Sequence, residues 1–292
     1  MSQGRLVSLT DTNLFLEERG QQGAFPILVL HGGPGRDHHM FGDYLDPIAD
    51  DGRYRLVLVD QRGQGRSDRS VEPKTLTIEQ MAADVSALAD SLSLSAYGVF
   101  GHSFGAFVAL QHAVDYPGAA KASIISAGVA SSRWLAQVEQ QLARFEPVEL
   151  REQVTASWAR EQSAQTQEDV ASIMADQCPF HFADPRDPRI ADFLTRTSQA
   201  RYAPAVLRYF STQDYGGIEV EDNLGQVLQP VLVLSGRYDR TCPPEAGSEM
   251  AERLPRAEHV VFEHSAHMFY VEEQDRFLGT VLEFLNRAVD ED

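Results

Sequence analysis

The sequence predicts an α/β protein: a mostly parallel central sheet flanked by helices, with a helical cap inserted into it. Three observations predict this. Short unbroken apolar runs at Pro26–Leu30, Leu56–Val59 and Val231–Leu234 have the character of strands covered on both faces. Helical segments alternate with these runs. From Ser131 to Leu224, roughly 90 residues, no such run occurs and long polar helical stretches replace them. The expected division is a core over 1–130, a cap over 131–225 and a second core segment over 226–292. At 292 residues the chain is long enough to bury a large core.

Taken in order, Arg5–Leu9 and Leu14–Glu18 alternate apolar and polar residues around a turn near Asp11-Thr12-Asn13, which reads as an edge hairpin. Pro26–Leu30 then runs straight into His31-Gly32-Gly33-Pro34-Gly35. Leu56–Val59 ends in Asp60-Gln61-Arg62-Gly63-Gln64-Gly65-Arg66-Ser67. A helix over Ile78–Leu92 is marked by Met81, Val85, Leu88 and Leu92, spaced three or four apart. Tyr97–Phe100 is the next strand, an Ala-rich helix covers Ala106–Val114, and another strand lies near Ala122–Ser126. In the cap, helices are expected over Leu135–Phe145 and Leu150–Met174, with breaks at Cys178-Pro179 and at Asp184–Pro188. Strands resume at Val231–Leu234 and His259–Phe262, and an amphipathic helix spans Glu273–Val289.

Between the strand Tyr97–Phe100 and its helix lies Gly101-His102-Ser103-Phe104-Gly105, a Gly-x-Ser-x-Gly pattern. In a strand–turn–helix setting this is the nucleophile elbow of the α/β-hydrolase fold. The competing reading makes Ser103 a helix cap. A nucleophilic serine needs a base and a group that orients the base, and in this fold they follow in the order acid, then His, each just past a strand. Asp239 lies just past Val231–Leu234, and His267 just past His259–Phe262. His264 is the rival base, but it sits too close to the strand end. The oxyanion donors expected are the backbone N–H of Phe104 and that of Gly33.

Other features are given no chemical role. Residues 60–68 lack the third glycine of a dinucleotide loop, because position 68 is Asp. Asp60 and Arg62 are expected to brace the oxyanion loop. His38 and His39 are adjacent and have no supporting carboxylate spacing, so they read as solvated or pocket-lining residues and no metal is expected. Cys178 and Cys242 are too few for a disulfide framework. No cofactor is implied. With 25 Lys and Arg against 43 Asp and Glu, the formal charge is −18, which disfavours nucleic acid and anionic membrane surfaces as partners. The N-terminal residues lack the apolar stretch of a secretory leader, and the expectation is a cytoplasmic protein.

His31-Gly-Gly-Pro-Gly35, Asp60-Gln-Arg-Gly-x-Gly-x-Ser67, the elbow, Gly236-x-x-Asp239 and Ser265-x-His267-Met together resemble the proline iminopeptidase group of α/β hydrolases. The resemblance covers the core, about two thirds of the chain. It implies release of an N-terminal residue, often proline, from short peptides through an acyl-enzyme. It also implies cap glutamates that recognise the free amino group, and Ala156-Ser-Trp-Ala-Arg-Glu161 makes Glu161 the candidate here. Gly32 and His102 complete the expected substrate-binding set. The elbow departs from the group's frequent Gly-Gly-Ser-Trp-Gly and is similar to those of esterases and lactonases, so a carboxylesterase or lactonase is the alternative enzyme. A ligand-binding receptor on the same scaffold is the alternative outside enzymes.

Overall fold

A computed structural model describes residues 4–290; the outermost residues of the two expected core segments lie outside that range. One eight-stranded sheet organises the chain: β1 (Arg5–Ser8), β2 (Asn13–Gly20), β3 (Phe25–Leu30), β4 (Tyr54–Asp60), β5 (Gly98–His102), β6 (Ala122–Ser126), β7 (Val231–Gly236) and β8 (Ala257–Phe262). Their order across the sheet is β1-β2-β4-β3-β5-β6-β7-β8. The hairpin β1–β2 and the β2–β4 pair are antiparallel, and all later pairs are parallel.

The unbroken apolar runs have a direct cause. In β3, Leu28 and Leu30 meet Met81, Val85 and Leu88 of helix α1 (Ile78–Ser91). Ile27 and Val29 face the other way, toward Leu45, Ile48 and Val281 of the terminal helix α10 (Gln274–Asp290). A strand covered on both faces has no place for a polar residue. Helix α2 (Phe104–Asp115) packs against α1 and over β5 and β6. Chain order reverses beside β3, which is flanked by β4 on one side and β5 on the other. In open parallel sheets such a switch opens a crevice at the carboxyl ends of the strands.

Between β6 and β7 every helix or strand named among the described residues is helical: α3 (Val138–Ala143), α4 (Val148–Arg160), α5 (Gln167–Gln177), α6 (Arg189–Arg196) and α7 (Pro204–Ser211), with 3-10 turns between. The single helix expected over Leu150–Met174 is two. Thr166 starts α5 with a capping box, its hydroxyl accepting from Asp169 N–H and the Asp169 carboxylate accepting from Thr166 N–H. The final helix expected over Glu273–Val289 is α10, preceded by the short α9 (Phe269–Glu272), and α8 (Pro244–Arg253) lies between β7 and β8. Among the described residues, no helix is long and apolar enough to cross a membrane.

The segment Phe180–Ala183 is fastened to the loops after β7 and β8. Arg240 donates to the carbonyls of Phe180 and Phe182, both at 2.8 Å. Met268 N–H donates to His181 O at 3.2 Å. The buried Glu272 carboxylate accepts from Ala183 N–H at 2.8 Å and from Ala266 N–H at 2.9 Å. Burial outweighs those donors and pushes the Glu272 carboxyl up to about 7 from 4.5. The folded chain therefore holds a proton here that the unfolded chain has lost, so this group's contribution to stability is full below about 4.5 and is lost as pH rises through about 7. Denaturant melts of the wild type and Glu272→Gln across that range are expected to differ in slope. The wild type should lose on the order of 2–3 kcal/mol more than the variant.

Candidate active site

Ser103 sits between β5 and α2 at φ 56°, ψ −122°, a left-handed conformation that a non-glycine residue adopts only when its surroundings impose it. The surroundings do so by close approach. A Cβ on Gly101 would lie 2.0 Å from the carbonyl oxygen of Gly105, and one on Gly105 would lie 2.3 Å from that of Leu30. The helix N-terminus is thereby pressed onto β3 and β5, and the turn has no other path. The Ser103 side chain makes no capping hydrogen bond to α2, which removes the helix-cap reading.

His267 and Asp239 come from adjacent strands. The His267 Nδ1–H donates to Asp239 Oδ2 at 2.7 Å, leaving Nε2 as the ring's free acceptor. Asp239 Oδ1 accepts from Thr241 N–H and the Thr241 hydroxyl, each at 2.8 Å, and from Cys242 N–H at 3.0 Å. Burial opposes the Asp239 charge, but His267 and these donors hold its carboxyl below the ordinary value. Ser103 and His267 line one cavity of about 480 Å³. No hydrogen bond joins their side chains here; such contacts commonly tighten only around substrate. His264 is exposed outside the cavity.

Gly33 lines the same cavity at φ 128°, a value open to glycine, and precedes a cis bond to Pro34. Phe104 is the first residue of α2, so its N–H has no acceptor within the helix. Neither N–H takes part in a turn or loop hydrogen bond. The loop 31–35 is held from β4's exit. Gln61 donates to His31 O at 2.7 Å, and Gln64 Oε1 accepts from Gly35 N–H at 2.6 Å. Asp60 accepts from His38 N–H at 3.1 Å and Arg66 N–H at 2.7 Å. Arg62 does not brace this loop. It is buried and paired with Asp84 at 2.6 Å and Asp11 at 2.8 Å, tying α1 to the β1–β2 turn. His38 is neither solvated nor pocket-lining: it is buried, with Nδ1 2.5 Å from Asp60.

Of the expected substrate-binding residues, Glu161 lines the cavity, whereas Gly32 and His102 do not. A Cβ on Gly32 would stand 3.0 Å from Ser103 Cβ, so Gly32 is a spacer against the elbow. His102 lies beneath the site, its ring 5.0 Å from that of His267 and its Nδ1 2.9 Å from Ser126 Oγ. Burial lowers its pKa well below 6.5 and keeps it neutral. Glu161, by contrast, is a buried part of the cavity wall, accepting from Gln177 Nε2 at 2.6 Å and from the Tyr215 hydroxyl at 2.5 Å. Burial raises its pKa above 4.5.

The family model of the alpha/beta hydrolase fold matches residues 26–274. A proline iminopeptidase from Clostridium botulinum is 30% identical over 275 residues, covering 90% of each chain. One from Clostridioides difficile is 26% identical over 276 residues, covering 91% of each. The chain belongs to the α/β-hydrolase family, in its proline iminopeptidase group. The crystal structure of a proline iminopeptidase from Mycobacterium smegmatis superposes with a TM-score of 0.74 at 23% identity, covering 98% of each chain, and shows the same fold.

Several residues of this α/β-hydrolase site escape sequence reasoning. Thr241 and Cys242 serve Asp239; the Asp-x-Thr turn is a recognisable side-chain-to-backbone signature. His181, from the 3-10 turn after α5, lines the cavity with its ring 5.0 Å from that of His267. Burial, then the His267 charge, lowers its pKa to about 3. Arg36, directly after the 31–35 loop, also lines it. Neither belongs to a spaced pattern. Asp239→Asn is expected to lower kcat by about 10³–10⁴-fold while leaving the thermal midpoint within a few degrees, since an amide can hold His267 in the wrong tautomer. A loss under tenfold would remove Asp239 from the relay.

Proposed function

We propose that this serine hydrolase releases the N-terminal residue, proline favoured, from short peptides and aminoacyl amides through an acyl-enzyme. Ser103 Oγ attacks the carbonyl of the first residue as its proton passes to His267 Nε2. Asp239 stabilises the imidazolium that forms. The N–H groups of Gly33 and Phe104 receive the developing oxyanion. The imidazolium then gives its proton to the departing amine as the C–N bond breaks. A water deprotonated by His267 attacks the acyl-enzyme, and as the second tetrahedral species collapses with cleavage of the C–O bond to Ser103, the imidazolium returns its proton to Ser103 Oγ and the free residue departs.

Residues 131–225 serve as a cap in this reading and exclude long chains from the cavity. What carries the assignment is that Ser103, His267 and the buried Glu161 share one cavity. Glu161 receives neutral donors only, so its carboxylate is available to a substrate ammonium. A carboxylesterase or lactonase acting on uncharged esters would have no use for a buried acid there. Two free, buried cysteines suit a reducing compartment, and cytoplasmic peptides are the substrates we assign.

Ser103→Ala is expected to lower kcat on proline naphthylamide by ~10⁴-fold or more. N-acetylation of that substrate should abolish turnover, and Glu161→Gln should raise KM about tenfold or more for the free amine. Equal turnover of the acetylated and free substrates would rule out the peptidase reading in favour of an esterase.

A further inference from the structure

The cavity carries a second ionised group for which the aminopeptidase reaction has no assigned use. Arg36 lines it together with Ser103, Gly33 and Glu161. Among the described residues, no carboxylate forms an ion pair with Arg36, and its Nε is buried with no hydrogen-bond partner. Its guanidinium rests on the Phe193 ring, 5.9 Å from the centroid. Scarcity of acids does not explain this, since 43 Asp and Glu face 25 Lys and Arg. Buried or partly buried arginines elsewhere have partners for the guanidinium: Arg62 meets Asp84 at 2.6 Å, Arg19 meets Asp46 at 2.6 Å, and Arg240 donates to the carbonyls of Phe180 and Phe182 at 2.8 Å. Arg36 does not pair with Glu161 either, whose two oxygens each accept one hydrogen bond from a neutral donor, Gln177 and Tyr215.

An unmatched guanidinium in a partly desolvated cavity is costly unless something completes it. Its planar fork is matched best by a carboxylate, held bidentately. Because Arg36 lines the cavity with Gly33 and Ser103, a carboxylate it holds would lie in that cavity. A Cβ on Gly33 would stand 3.2 Å from Arg36 N, so Arg36 is part of the same tight loop that presents the Gly33 N–H.

We infer that Arg36 binds the terminal carboxylate of a free dipeptide, whose ammonium meets Glu161 and whose peptide carbonyl lies between them at Ser103. The substrate class is thus a zwitterion, read at both ends. The inference rests on the aminopeptidase assignment and narrows it. Each added residue moves the carboxylate by about 3.3–3.6 Å, so a tripeptide's terminal charge falls away from Arg36.

The test compares kcat/KM of the wild-type enzyme for Pro-Gly free acid, Pro-Gly amide and Pro-Gly-Gly free acid. The dipeptide acid should exceed each of the others by about tenfold or more. In Arg36→Gln the acid-to-amide ratio should fall to near one, and Arg36→Lys should restore part of it. A merely structural role for Arg36 would lower all three substrates alike and leave the ratio unchanged. Equal wild-type values for acid and amide overturn the inference, as does an Arg36→Gln variant that keeps the wild-type ratio. Where that variant does not fold, the wild-type comparison decides alone. Ser103-dependent turnover of proline naphthylamide, which has no carboxylate, tests the aminopeptidase assignment separately.

Discussion

The site depends on one steric constraint: the backbone of α2 comes so close to β3 and β5 that no side chain fits between them. Gly101 and Gly105 are the residues that permit the contact, with carbonyl oxygens 2.0 and 2.3 Å from where their Cβ atoms would lie. Ser103, caught at the apex, is forced to φ 56° and cannot turn its side chain back to cap the helix. The same compression sets the first N–H of α2 beside the loop that follows β3. In the proposed reaction, nucleophile and oxyanion donors are thus positioned by packing, before any substrate contributes binding energy.

Around that point the chain places charge sparingly. Asp239 is kept ionised by three donors besides His267, and His102 and His181 are kept neutral on either side of the base by burial. His267, the base we propose, is therefore the one imidazole of the three with a carboxylate at its back. Glu161 and Arg36 stand apart in the cavity without neutralising each other. A cavity built this way holds its ionised groups for the ends of a ligand.

The sheet was legible because parallel strands buried on both faces must be apolar throughout, as Leu28 facing α1 and Val29 facing α10 illustrate. The residues after each such run could then be placed at one sheet edge without coordinates. Within the helical block that logic fails. Residues 161–165 have compositions compatible with a helix, and only Thr166 with Asp169 marks the break before α5. His102 was misplaced for a different reason: it adjoins Ser103 in sequence, but strand alternation sends its ring beneath the sheet edge toward Phe269 and Tyr270. Arg36 and His181 are single residues in loops, where no period exists to betray a direction.

The most direct measurement of the central claim is peptide mapping by mass spectrometry after reaction with a fluorophosphonate. One adduct is expected, on Ser103, formed at a rate that collapses in His267→Gln. Stoichiometric labelling of a different serine, or labelling of Ser103 that proceeds unchanged without His267, would contradict the account.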